Sequence, residues 1–132
     1  MDSMLDLSFD DVYEPQTHPD GTEVSTIIER ADLEQSKKGR PQVHVVIRDA
    51  ENQKIEDIHQ YISLPQLGDD PKAANAMLNR LRVFYQCYGV DYTSGVDVKT
   101  ELPGQTGDIV VNEETDPIYG TRNSVRTFIV PR

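Results

Sequence analysis

The sequence predicts a mainly β domain: a five-stranded, partly open barrel with one α-helix between its third and fourth strands. Three observations carry that expectation. VHVVIRD, from Val43 to Asp49, alternates strictly, with Val43, Val45 and Ile47 on one side and His44, Val46 and Arg48 on the other. PKAANAMLNRLRVFYQCYG, from Pro71 to Gly89, holds the long helical period, with Ala74, Met77, Leu78, Leu81, Phe84, Tyr85 and Tyr88 recurring every three or four residues. Two polar turns, SKKGRP and ETDPIYGTRN, sit where hairpins would turn.

The elements follow in order. Residues 1–22 have no sustained period and read as an acidic, loosely ordered arm anchored by Leu5, Leu7, Phe9 and Val12. Residues 23–132 form the one domain that a chain of 132 residues supports. Its first strand covers residues 23–34, too irregular for clean alternation and therefore bulged. The second is VHVVIRD, and the third IEDIHQYISL, with Ile58, Ile62 and Leu64 opposite His59 and Tyr61. Asp70 is placed to cap the helix, Pro71 suits its first turn, and Gly89 ends it. VDYTSGVDVKTEL holds a short helical turn, and GDIVVNE and SVRTFIV are the last two strands. Closing five strands into a barrel would leave no open edge. A helix packed on a plain antiparallel sheet fits the same order.

Composition narrows the function. Apolar residues make up 36% of the chain and charged residues 27%, and no run approaches a membrane span. The acidic start, MDSMLDLSFDD, does not resemble a targeting signal. The net charge is −10, but residues 1–34 carry ten acids against Arg30 alone, so the rest of the chain is nearly neutral. Three scattered histidines and the single Cys87 give no metal-ligand spacing, no glycine pattern cradles a phosphate, and Asp69–Asp70 read as capping. The expectation is a protein that is not an enzyme and holds no metal or cofactor. Cys87 is expected to pack beside the helix stripe.

The basic residues point further. No acid lies between Gln35 and Arg48, a stretch holding Lys37, Lys38, Arg40 and Arg48. Arg122 and Arg126 belong to the last hairpin. In a small barrel of this kind the first and last hairpins flank a groove for single-stranded nucleic acid, where cations meet phosphates and exposed rings stack on bases. Tyr61 would stack if its strand face is open; Tyr119, in a turn, has little core to join; Phe128 could face either way. Tyr85 and Tyr88 belong to the helix stripe and hence to the core.

The order of motifs resembles a family of bacteriophage single-stranded-DNA-binding proteins. The resembling pieces are IIERADLEQSKKGRPQVHVVIRD, DIHQYISL, NAMLNRLRVFYQCYGV, LPGQTGDIVVNEE and YGTRNSVRTFI, the last with the pattern Gly120-Thr121-Arg122-Asn123. The resemblance spans roughly residues 22–130. It implies an OB-fold and a non-catalytic protein that coats and protects single-stranded DNA without sequence preference during phage replication or recombination. It places that protein in the cytoplasm of the infected bacterial host, with no membrane partner. It implies contacts from the Lys37–Arg40 turn and from the hairpin around Tyr119, Arg122 and Arg126; together with the residues read above, the expected phosphate contacts are Lys37, Lys38, Arg40, Arg48, Arg122 and Arg126, and the expected stacking residues Tyr61, Tyr119 and Phe128. Proteins of this class often end in an acidic tail that recruits partners; here the chain ends VRTFIVPR and the acids lie at Asp2–Glu34. Residues 1–20 are expected to replace that tail, as a tether for replication or recombination proteins or as a brake on the groove. A near-neutral body implies modest affinity and a homo-oligomer or cooperative coating. The alternative is a protein-interaction or virion accessory module, which requires Tyr61 buried and the cations dispersed.

Overall fold

Alternation along Val43–Ile47 buries Val43, Val45 and Ile47 in the centre of the protein, and the other elements assemble around that row. The computed structural model describes residues 3–132, so residues 1 and 2 of the expected arm, Asp2 among them, lie outside the described residues. The strands are β1 (Glu23–Gln35), β2 (Pro41–Asp49), β3 (Ile58–Ser63), β4 (Thr106–Asp116) and β5 (Gly120–Phe128). Helix α1 (Pro71–Cys87) follows β3, and a single helical turn, α2 (Val98–Glu101), precedes β4. All strand pairs are antiparallel, and the order across the sheet is β3-β2-β1-β4-β5.

The sheet is not closed. Its ladder ends at β3 on one side and β5 on the other, with no hydrogen-bonded pairing between them. This corrects the five-stranded OB-fold barrel expected from the sequence: the protein is a curled five-stranded antiparallel sheet covered by one long helix. The physical reason lies in what separates the two edges. β3 has only six residues before Leu64 and Pro65 end it. Side chains from β3 and from the β4–β5 hairpin then line a cleft of about 360 Å³ where a closing ladder would run.

β1 carries the expected irregularity, since its register against β2 shifts between Ile28 and Arg30. A bulge there increases the local twist and lets one long strand pair with β2 along most of its length and with β4 over Glu23–Ile27. Between α1 and β4 the backbones approach closely. A Cβ built on Gly107 would meet the Cys87 carbonyl oxygen at 2.9 Å and Tyr88 Cδ1 at 3.0 Å, so only glycine fits. The buried Thr26 hydroxyl donates to the Gly107 carbonyl at 2.7 Å and accepts from the Tyr88 hydroxyl at 2.7 Å. That leaves neither polar group unsatisfied.

α1 begins as its sequence dictates. The Asp70 carboxylate accepts from the Ala73 N–H at 3.3 Å, and Pro71 occupies the first turn. Its packing is confined to the C-terminal half, where Phe84, Tyr85 and Cys87 are buried and Phe84 meets Phe128 edge-on at 5.2 Å. The apolar stripe read from the sequence therefore overstates the contact: Leu78 is 52% exposed. Among the described residues no helix is long and apolar enough to cross a membrane.

The arm is tied down at its end nearest β1 rather than through Phe9, which is exposed. Gln16 N–H donates to the Lys54 carbonyl, and Glu56 N–H donates to the Gln16 carbonyl. Asn123 clasps His18 with both ends of its amide: its Oδ1 accepts from His18 N–H at 2.8 Å and its Nδ2 donates to His18 O at 2.9 Å. His18 Nε2 lies 2.6 Å from Asp49 Oδ2. Burial raises the affinity of the Asp49 carboxyl for its proton, but His18 and the N–H groups of Glu51 and Asn52 outweigh it and hold the pKa below the usual carboxylate value.

Candidate nucleic-acid interface

The outer face of β2 and β3 is set by register. His44 pairs with Tyr61 and Val46 with His59, so these side chains share the face opposite the core row. Tyr61 is 49% exposed, and its ring stacks on His44 with centroids 4.5 Å apart and planes 18° from parallel. His44 Nε2 lies 2.9 Å from His59 Nδ1, and His44 Nδ1 lies 3.5 Å from a Glu34 carboxylate oxygen. The two imidazoles are joined by one ring-to-ring N–H···N hydrogen bond. The Tyr61 ring is thus backed by an imidazole and fixed in orientation before any ligand arrives.

Opposite this face stands the β4–β5 turn. The Asp116 carboxylate accepts from the N–H groups of Ile118 (2.7 Å) and Tyr119 (3.0 Å), which fixes the turn and holds the Asp116 pKa low, with nearby Arg122 adding to the effect. Gly120, at φ 79°, supplies the conformation that a side chain resists. Tyr119 is 74% exposed, and the Arg122 guanidinium sits over its ring, 5.5 Å from the centroid. Tyr119, Arg122, Tyr61 and His59 line the same cleft, and so do the carboxylate residues Glu56 and Asp57.

The sequence-derived set therefore divides. Tyr61, Tyr119 and Arg122 converge on one cleft. Lys37 and Lys38 are exposed at the tip of the β1–β2 hairpin, and Arg48 is exposed at the far end of the outer row on β2. Of these three cations only Arg48 shares the β2 outer row with His44; Lys37 and Lys38 lie in the turn that precedes β2.

The remaining three residues are placed elsewhere. Phe128, only 8% exposed, packs against Phe84 and Tyr88 in the core, and what remains exposed of it lines a different cleft from the one that holds Tyr61. Arg40 grips Asp69 with both guanidinium nitrogens, at 3.0 and 2.8 Å, and donates to the Leu64 carbonyl at 3.2 Å. It ties the first hairpin to the loop before α1 and is not directed at a ligand. Arg126 is held by Asp20 and by Asn112, each at 2.6 Å. The sequence reading omitted Arg30, which lies beside His59 and Asp57, and the His44–His59 pair. The alternation of His44 with Val43 and Val45, set against that of His59 with Ile58, was the signal that could have placed the two imidazoles together.

Cys87 is buried beside Gly107, and burial pushes its thiol up to about 11, in keeping with packing. Among the described residues no group of three or more His, Cys, Asp or Glu side chains could hold a metal ion. No family model matches the chain, and no curated protein sequence matches it.

Proposed function

We propose that the protein binds single-stranded DNA without sequence preference, coating and protecting it during phage replication or recombination. The observation that carries this reading is the half-exposed Tyr61 ring, stacked on His44 and facing Tyr119 and Arg122 across an open cleft. Aromatic faces held apart by a cleft suit unpaired bases, because every base presents a π-face and stacking does not depend on its edge pattern. A base stacked within a duplex could not enter. Arg122, Lys37, Lys38 and Arg48 would meet the phosphates on either side of the stacked bases. Held this way, the strand is withdrawn from hairpins and reannealing by mass action.

The exposure of Tyr61 favours this reading over the interaction-module alternative, which requires a buried ring, whereas the dispersal of the cations, of which only Arg122 lines the cleft, is what that alternative expects. The phage setting, a host-cytoplasm location and the recruitment of replication or recombination proteins by the arm rest on the sequence resemblance alone. Fluorescence anisotropy of labelled oligo-dT and of its duplex, at low and physiological salt, tests the proposal. Binding to the single strand with little to the duplex, weakened by Lys37→Glu with Lys38→Glu, is the expected result. Equal affinity for both, or no binding at low salt, would overturn it.

A further inference from the structure

A second cleft, of about 460 Å³, lies between α1 and the end of β5 and shares no lining residue with the Tyr61 cleft. Its walls carry Arg80, Arg82 and Arg126, and Val83, Thr127 and Phe128 line it between them. Beside it runs the outer edge of β5, which pairs only with β4. Three cations around an apolar lining at an open strand edge fit an extended acidic peptide whose apolar side chains alternate.

The chain itself contains such a peptide. In Leu5-Asp6-Leu7-Ser8-Phe9, apolar residues alternate with polar ones at strand period, and Asp10 and Asp11 follow. Leu5, Leu7 and Phe9 are all exposed, uncovered by their own domain. An arm carboxylate already reaches this cleft, since Asp20 pairs with Arg126 at its rim. From Asp20 the chain runs away from the cleft: His18 is clasped by Asn123, Gln16 pairs with Ile55, and the Tyr13 hydroxyl donates to the Gln53 carbonyl at 3.4 Å. The apolar segment Leu5–Phe9 comes earlier in the chain than this path and is not packed on its own domain.

We propose that two copies exchange arms, Leu5–Phe9 of each lying extended in the α1–β5 cleft of the other. Leu7 and Phe9 cover Val83 and the edge of Phe128, Asp11 on the same side of the strand meets Arg80 or Arg82, and Asp6 and Asp10 on the other side add their charge to the field of these arginines. The exchange is reciprocal, so it closes as a two-fold dimer and does not grow into a filament. It covers an open strand edge and leaves the Tyr61 face accessible on both copies. Nothing in it depends on DNA binding.

Sedimentation velocity of the full chain from low to high micromolar concentration tests the exchange. The expected result is a dimer that dissociates on dilution and in high salt. Leu7→Asp with Phe9→Asp, and separately Arg80→Glu with Arg82→Glu, are each expected to give monomers with unchanged circular dichroism, since all four side chains are exposed. Mixing the two variants restores one arm–cleft pairing and therefore a heterodimer. A wild-type monomer at every concentration, a dimer that survives either variant, or a mixture that stays monomeric would overturn the proposal.

Discussion

At the scale of single residues, the proposed site depends on rings fixed by neighbours of no unusual chemistry. Tyr61 is held by its stack on His44, and His44 by Glu34 and His59. Tyr61→Ala is expected to weaken oligo-dT binding by about 1–3 kcal/mol, the usual worth of one base–aromatic stack, with the melting temperature nearly unchanged. Tyr61→Phe should retain most of the affinity, and anisotropy titration of both variants separates stacking from hydrogen bonding. Arg40 illustrates a different outcome for a residue chosen on charge. Its guanidinium hydrogen-bonds Asp69, and with the Gln66 N–H it holds the Asp69 carboxyl down to about 2. A carboxyl with a depressed folded-state pKa adds stability above its unfolded pKa near 4 and loses that contribution as pH falls toward the folded value. Arg40→Ala should therefore be less stable than the wild type at neutral pH. The difference should shrink between pH 4 and pH 2, as read by thermal melts across that window.

At the scale of elements, much was legible because local pattern and burial agree. Val43, Val45 and Ile47 alternate into the core as the pattern marks, although Val46 on the other face is buried as well, and α1 starts at the cap and proline that the sequence marks. The bulge in β1 showed as broken alternation, since an extra residue shifts every later side chain to the opposite face. The last hairpin was less legible. β4 extends to Asp116 and β5 starts at Gly120, so most of the ETDPIYGTRN turn is strand. Polar residues on an exposed ladder look like loop when only apolar periodicity is counted. Phe128 was ambiguous for a related reason: its face depends on contact with Phe84, a residue far away in the chain. Gly107 gave no local signal at all, because its requirement arises from the approach of Cys87. Gly107→Ala is expected to destabilise the protein by about 1–3 kcal/mol, as overpacking does, since the obstructing atom is backbone and cannot rotate away. Urea denaturation monitored by circular dichroism measures the loss.

At the scale of the whole molecule, the order of elements was readable and the closure was not. Five strands with a helix after the third fit both a barrel and an open curled sheet, and the choice lies in whether β3 and β5 come within hydrogen-bonding reach. Side chains from His59, Tyr61, Tyr119 and Arg122 occupy that gap as a cleft, an arrangement that no periodicity encodes. The distribution of charge has a related lesson. Of the six cations chosen from the sequence, Arg40 and Arg126 are in ion pairs with acids of the same chain. Lys37, Lys38, Arg48 and Arg122 remain for phosphates. Four contacts imply that the logarithm of the binding constant falls with the logarithm of salt at a slope of about −3, from roughly 0.7 per neutralised phosphate on a single strand. Titrations at several salt concentrations give that slope directly, and a value near zero would remove the phosphate contacts from the account.

The most direct measurement is ultraviolet crosslinking of oligo-dT to the protein, with the attached peptides identified by mass spectrometry. Bases stacked in the cleft should crosslink at Tyr61 and Tyr119, on segments 58–63 and 117–122, and the crosslinks should disappear with Tyr61→Ala and Tyr119→Ala. Crosslinks confined to α1 or to the arm, with both tyrosines unmodified, would contradict the placement of single-stranded DNA on this face.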